Sequence, residues 1–224
     1  MDSSKEAIWR GWNFVFPSQS KEFATSYVER LFVYYSQEHR TYHSLEHIAD
    51  VINLVIDCKT RLRSKRNVIW ALIFHDAVYD PRSATNEADS VILAGQLGCE
   101  LLASGVTDVP DLEETRRLIM LTCHSSPSPN QLMDPDGAVL IDADLSILGA
   151  SPDRFARYDA DIRIEYKHVP ERAFIAGRSA VLHSFLARDR IFASDEFFER
   201  YEGQARHNLD SALAKLNLAP LISI

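Results

Sequence analysis

Hydrophobic residues recur every three to four positions through most of the chain, which is the period of an amphipathic α-helix. The clearest such stripe runs through Ile48, Val51, Ile52, Val55 and Ile56. Alternating runs typical of strands are few, and no Asn-Gly hairpin turn occurs. Three late helices are expected over about residues 152–168, 170–187 and 194–216. The pattern therefore predicts an all-α protein that forms a single domain over residues 1–224.

One stretch, Trp70–Tyr79, is almost uniformly apolar and is predicted to form the interior of a buried helix that ends at Asp80. An imidazole and a carboxylate, His75 and Asp76, stand side by side within it. Burying both groups costs free energy unless they are paired or bind a metal ion. This pair is therefore the first candidate for chemistry.

Two further residues of ligand type are expected in the core. His47 shares a helical stripe with Val51 and Val55, and Asp144 lies between an apolar triplet and Leu145. Two imidazoles and two carboxylates form a mixed nitrogen and oxygen set that suits one divalent ion of Mn, Fe, Ni, Co, Zn or Mg. The alternative is that each side chain is satisfied by a hydrogen bond alone. The co-occurrence of all four favours a metal site formed by His47, His75, Asp76 and Asp144.

The order and spacing of these residues resemble the H…HD…D signature of the HD superfamily of metal-dependent phosphohydrolases. There are 28 positions from the first histidine to the second, and 68 from the first aspartate to the second. Ala143-Asp-Leu145 is similar to the family's A-D-x-L segment, which favours Asp144 over Asp142 as the ligand. The resemblance implies an HD core over about residues 40–150, with the helices of residues 152–216 packed on it.

Within this superfamily the chain resembles more closely a bacterial subgroup described as predicted HD-type phosphohydrolases, over about residues 20–210. The shared segments are Arg40-x-Tyr-His43-x-x-x-His47, Phe74-His-Asp-x-Val-Tyr-Asp80, Asn86-Glu87, Asp142-Ala-Asp-Leu-x-Ile-Leu-Gly149, Gly177-Arg178 and Phe185-Leu-x-Arg188. The resemblance implies hydrolysis of a small phosphomonoester or phosphodiester by a metal-activated water, with nucleotides among the candidate substrates.

Two carboxylates are candidates for the general base or acid of such a reaction. Asp80 is expected one helical turn beyond Asp76 on the same face, and Glu87 opens the next predicted helix. Both residues also have structural explanations. Asp80 could simply be a turn residue before Pro81, and Glu87 could be a first-turn carboxylate that suits the helix dipole.

Four cationic or imidazole side chains are candidates for substrate-phosphate contacts: Arg40, His43, His124 and Arg178. His43 faces the same side as His47 if that helix extends back far enough, and it could instead support the metal or bind a second ion. His124 could simply end its helix. Arg178 is one of several late cations that could instead pair with nearby carboxylates.

Two other functions stay open at this point. Some HD-type folds hold two irons and oxidise their substrate with dioxygen, and His43 and His124 could supply the extra ligands. A non-catalytic protein that binds a nucleotide or another effector could also keep the metal-site fold. The sequence does not distinguish either alternative from phosphohydrolysis.

Composition limits the partners. The formal net charge is -8, which argues against a broad nucleic-acid surface. Three cysteines without a C-x-x-C pair, and a start that lacks the pattern of a signal peptide, predict a cytoplasmic protein. No window of 18 apolar residues occurs in the sequence, so no membrane span is expected. The aromatic N-terminus and the apolar C-terminal tail could close a homodimer or pack within the chain.

Overall fold

The computed structural model describes residues 3–123 and 134–218, and all regular structure within these ranges is helical. The described residues form α1 (Ser3–Val15), α2 (Lys21–Tyr35), α3 (Leu45–Asp57), α4 (Lys65–Phe74), α5 (Asn86–Ala103), α6 (Leu112–Met120), α7 (Pro135–Asp144), a 3-10 helix (Leu145–Gly149), α8 (Pro152–Glu165), α9 (Glu171–Leu186) and α10 (Asp195–Leu218). The prediction of an all-α fold is confirmed, and the three late helices lie within a few residues of their expected bounds.

Helix α4 is the centre of the molecule. Its residues from Val68 to Phe74 are all buried, and it packs against α1, α3, α5, α6 and α7. A helix that is hydrophobic all round is stable in water only when other elements cover every face. Trp12 of α1 and Phe16 contact the ring of Trp70 from one side. The buried apolar residues form one cluster that extends from Ile8 to Leu213.

The prediction that this central helix continues to Tyr79 is wrong, because α4 ends at Phe74 and a turn follows. Two hydrogen bonds close the end: the His75 ring contacts the Leu72 carbonyl oxygen, and the amide of Ala77 donates to Phe74 O. Carbonyls that lack a helical partner are thus satisfied locally. His75 and Asp76 therefore lie in a turn, and Asp80 does not share a helical face with Asp76.

The late helices are joined to the early ones through the 3-10 helix, which packs on α8 and α10. A Cβ atom at Gly149 would lie 2.7 Å from the carbonyl oxygen of Tyr201, so this close crossing requires glycine. The Asn208 side chain donates to the carbonyls of Leu148 and Ala150 and holds the crossing. As a result, the segment directly after Asp144 is fixed against α10.

Among the described helices, none combines the length and the apolar character needed to cross a bilayer.

Candidate metal centre

Three ligand-type side chains from three different elements meet in the core. His47 comes from the first turn of α3, His75 from the turn after α4, and Asp144 from the last residue of α7. The Nε2 atoms of the two histidines are 3.4 Å apart, and Asp144 Oδ1 is 3.2 Å from His47 Nε2 and 3.4 Å from His75 Nε2. Ligand atoms around one ion at ordinary bond lengths lie about 3.0 to 3.4 Å apart. The His47–His75–Asp144 group could therefore bind a metal ion.

Asp76 lies next to this group. Its Oδ2 atom is 3.1 Å from His75 Nε2 and 3.6 Å from His47 Nε2. Its side chain is 18% exposed, whereas those of the two histidines are exposed by 3% or less. Asp76 thus lies on the more open side of the cluster, where it could complete a four-residue set.

The ring of His75 has a defined orientation. Nδ1 lies 2.9 Å from the carbonyl oxygen of Leu72, so Nδ1–H donates to that oxygen. The lone pair of a neutral ring is then on Nε2, the atom that faces His47, Asp76 and Asp144. A backbone carbonyl on the far nitrogen is a common way to orient a metal-binding histidine.

Charge in the cluster is balanced between imidazoles and carboxylates. Burial alone would lower the pKa of His75, but the adjacent Asp76 and Asp144 outweigh it and raise that pKa well above its usual range. Burial raises the pKa of Asp76, but His75 and His43 outweigh burial and hold it far below its usual range. A metal ion on Nε2 of His75 would replace the proton held there, so its affinity is expected to fall in acid.

The structure brings one residue to the site that the sequence interpretation missed as a functional residue. The Oε1 atom of Glu165 accepts the backbone N–H groups of Thr41, Tyr42 and His43 at 2.8, 2.8 and 3.0 Å. Its Oε2 atom accepts from His43 Nδ1 at 2.6 Å and from the Tyr79 hydroxyl at 2.8 Å. Glu165 is the last residue of α8, where the helix dipole disfavours a carboxylate. No local sequence signal distinguishes it from other helix acids.

His43 lies near the cluster but outside α3, which begins at Leu45 after Ser44 at the N-cap. Its ring stacks on that of Tyr79, with centroids 4.2 Å apart, and its centroid is 6.1 Å from that of His47. Burial opposes protonation, but Asp76 and Glu165 raise the pKa of His43. An imidazole held by Glu165 thus stands beside the candidate ligands.

Arg40 is buried, and its guanidinium donates to the main-chain carbonyls of His43, Asp76 and Ala77. Its Nε atom donates to the side chain of Gln37. These contacts orient the guanidinium toward protein groups. The predicted contact between Arg40 and a substrate phosphate stays a prediction.

The other predicted substrate residues are placed as follows. Arg178 forms an ion pair with Asp159 at 2.9 Å, donates to the Tyr158 hydroxyl and lies over the Tyr158 ring. Its guanidinium is therefore occupied by neighbours on α8. His124 lies outside the described residues. Both substrate roles stay predictions.

The two candidate catalytic carboxylates lie at the turn between α4 and α5. Asp80 is exposed and accepts the backbone N–H of Arg82, while the Asn86 side chain closes the turn through the backbone of Asp80. Glu87 is half-buried in the first turn of α5. These hydrogen bonds give Asp80 a structural role in the turn. The catalytic roles of Asp80 and Glu87 stay predictions.

Asp142 and Asp144, two residues apart on α7, have different partners. Asp142 is fully buried and accepts the backbone N–H groups of Ala193 and Ser194 and the Ser194 hydroxyl, at 2.6 to 2.8 Å. It holds the two residues that precede α10, and its hydrogen-bond partners are in that segment. Asp144 contacts them instead, as the sequence interpretation expected.

A cleft of about 350 Å³ opens beside His47, between α3, the 3-10 helix and α10. Its lining includes three aromatic rings, two arginines and three carboxylates: Tyr42, Phe197, Tyr201, Arg154, Arg200, Asp50, Asp57 and Glu196. Comparison of the chain with protein-family models, curated proteins and solved structures finds no match. What the site can do chemically therefore follows from these side chains and from the cleft next to them.

Proposed function

We propose that this protein is a divalent-metal-dependent phosphohydrolase of the HD type that acts on a small phosphomonoester or phosphodiester. The observation that carries the proposal is the buried His47–His75–Asp144 group, with Asp76 on its open side. The order of these residues in the chain, which resembles the HD signature, supports the same conclusion. Buried ionisable groups are costly unless they are paired or bind a metal ion, and a metal ion would satisfy all four of these side chains at once.

The ligand set combines imidazole nitrogens with carboxylate oxygens, which suits Mn, Fe, Ni, Co or Zn, and Mg through the carboxylates. We propose that His47, His75, Asp76 and Asp144 hold one such ion. A bound ion would supply a Lewis acid for a phosphoryl oxygen and lower the pKa of a bound water.

His43 is the proposed contact for the transferred phosphoryl group. With Nδ1–H on the Glu165 carboxylate, the imidazolium of His43 has Nε2–H left to donate to a phosphoryl or leaving-group oxygen. Glu165 stabilises that charge and fixes the ring. Glu87 and Asp80 are the candidates for accepting the proton of the attacking water.

The cleft beside His47 is the proposed site for the organic part of the substrate. Its volume of about 350 Å³ fits a small molecule such as a nucleoside or a sugar and is too small for a folded partner. The rings of Tyr42 and Tyr201 offer apolar faces, and Arg200 is a cation of the lining. The other arginine, Arg154, is paired with Glu46 and Asp50. The proposal is therefore restricted to small phosphorylated substrates.

The test is Asp144→Asn, with the protein's metal content and its hydrolysis of a panel of phosphomonoesters and phosphodiesters measured with added Mn²⁺, Co²⁺, Ni²⁺ or Mg²⁺. Removing the charged ligand should abolish tight metal binding and reduce turnover on the order of 100-fold or more. Asp108→Asn is the matched control, because Asp108 is an exposed carboxylate paired with Arg66. A metal-loaded wild type that hydrolyses no phosphoester in the panel would contradict the proposal, and iron-dependent oxygen uptake would favour an oxygenase.

A further inference from the structure

The guanidinium of Arg40 joins the two chain segments that carry the candidate site. Nη1 donates to the carbonyl oxygens of His43 at 3.0 Å and Asp76 at 2.7 Å, and Nη2 donates to Ala77 O at 2.9 Å. The first acceptor belongs to the loop before α3, and the other two belong to the turn after α4. One planar group therefore sets the distance between the loop and the turn.

The turn needs such a partner because it follows the end of a helix. The carbonyls of Asp76 and Ala77 lie in a turn that is largely buried, where an unsatisfied carbonyl is costly. A cation near the C-terminal end of a helix is also favoured by the dipole. Arg40 supplies both the donors and the charge.

The position of the guanidinium is itself restrained. Arg40 is 7% exposed, and its guanidinium carbon lies 5.2 Å from the ring centre of Tyr35 and 5.4 Å from that of Tyr79. Nε donates to Gln37 Oε1 at 2.9 Å. With its polar atoms on fixed acceptors and rings nearby, this side chain has one well-defined place.

We infer that Arg40 is a positioning residue for the metal centre, because it holds the turn that carries His75 and Asp76 at the correct distance from His47. The inference rests on the proposed metal site. It assigns Arg40 a role other than the substrate-phosphate contact that the sequence predicted. The backbone of Asp76 is held by Arg40, while its carboxylate is 3.1 Å from His75 Nε2.

The experiment is Arg40→Lys, with Co²⁺ alone titrated into the metal-free protein. Lysine keeps the charge but has one nitrogen in place of Nη1, Nη2 and Nε, so it cannot reproduce all four hydrogen bonds of the guanidinium. The expected result is Co²⁺ binding at least about tenfold weaker than in the wild type, with altered visible d–d bands, as for other groups that orient metal ligands. Stability of the metal-free protein is measured alongside.

Arg206→Lys is the matched control. Arg206 also donates to three main-chain carbonyls, those of Leu186, Arg188 and Asp189, and its Nε donates to Glu202. It holds the segment before α10 and contacts none of the candidate ligands. Its substitution should lower stability similarly but leave the Co²⁺ affinity within about twofold and the spectrum unchanged.

Gln37→Ala provides a second variant that leaves the arginine in place. It removes the acceptor of Nε at an exposed position, so the protein is expected to fold and to bind Co²⁺ about threefold more weakly. Wild-type Co²⁺ affinity and spectrum in both Arg40→Lys and Gln37→Ala would overturn the inference about Arg40. Failure of the wild type to bind any divalent metal would instead overturn the proposed metal centre.

Discussion

At the scale of single residues, Glu165 organises more of the site than any ligand does. One carboxylate accepts three consecutive backbone N–H groups, one imidazole and one phenol. Burial disfavours its charged form, but the hydrogen bonds from His43 and Tyr79 outweigh burial and lower the pKa of Glu165 to about 2. The loop that leads into α3 is therefore held by a charge.

This lowered pKa gives a prediction for Glu165→Gln. The folded-state pKa lies below the ordinary value of 4.5, so the ionised carboxylate stabilises the protein above about pH 4.5, and this contribution is lost as the pH falls toward 2. The variant should be less stable than the wild type by about 2 to 3 kcal/mol at pH 7. Urea unfolding of both proteins from pH 7 to pH 2.5 should show the difference shrinking in acid.

A constant difference across that range would show that the charge of Glu165 contributes nothing to stability. Tyr79→Phe is the companion variant, since it removes one donor to Oε2 and leaves the bond to His43 Nδ1. Its loss of stability should be smaller, about 1 kcal/mol.

At the scale of elements, α7 has two tasks that are separated by two residues. Asp142 holds Ala193 and Ser194, the two residues before α10, while Asp144 contacts the two histidines. Residues two apart on a helix face different directions, so one helix can dock a neighbour and deliver a ligand. One helix thus serves both the candidate metal centre and the attachment of the C-terminal helix.

This division predicts that Asp142→Asn and Asp144→Asn behave in opposite ways. An asparagine at position 142 places an amide where an acceptor is needed, and it should lower the free energy of unfolding by about 1 to 3 kcal/mol while metal content stays unchanged. Asp144→Asn should lose the metal with a smaller effect on the metal-free protein. Urea unfolding of the metal-free proteins and metal analysis of the purified proteins separate the two. Loss of metal in Asp142→Asn would contradict the assignment.

At the scale of the whole molecule, the candidate ligands come from three elements that surround α4. An ion that binds His47, His75 and Asp144 would join α3, the turn after α4, and α7. An unfolded chain cannot present these residues together, so metal binding should stabilise the folded state as a whole.

The metal should therefore raise the thermal stability of the protein. At a free Mn²⁺ concentration about 100 times Kd, the gain is about 2.7 kcal/mol. For a chain of 224 residues, that gain corresponds to a Tm increase of about 5 to 10 °C. Differential scanning calorimetry with Mn²⁺ and with a chelator measures the shift, and Asp144→Asn should show almost none. Equal Tm values in metal and chelator would count against a metal centre at this site.

The sequence by itself determined the all-α class and the residue types of the candidate ligands. Apolar periodicity is a local property, so the all-α fold and the three late helices could be predicted from spacing alone. The same spacing placed His47 inside the core, and the apolar run around His75 marked that residue as buried and polar. Apolar periodicity and apolar runs depend only on residues that lie within a few helical turns of one another in the sequence.

The tertiary structure decided how the site is held. Glu165 is 122 residues from His43 in the chain, and Arg40 is 36 residues from Asp76. Hydrogen bonds over such separations leave no local pattern, because each depends on how distant elements pack. The end of α4 at Phe74 also depends on distant residues. The apolar sequence continues to Tyr79, but the His75 ring and the Arg40 guanidinium bind backbone carbonyls there and so make a turn favourable.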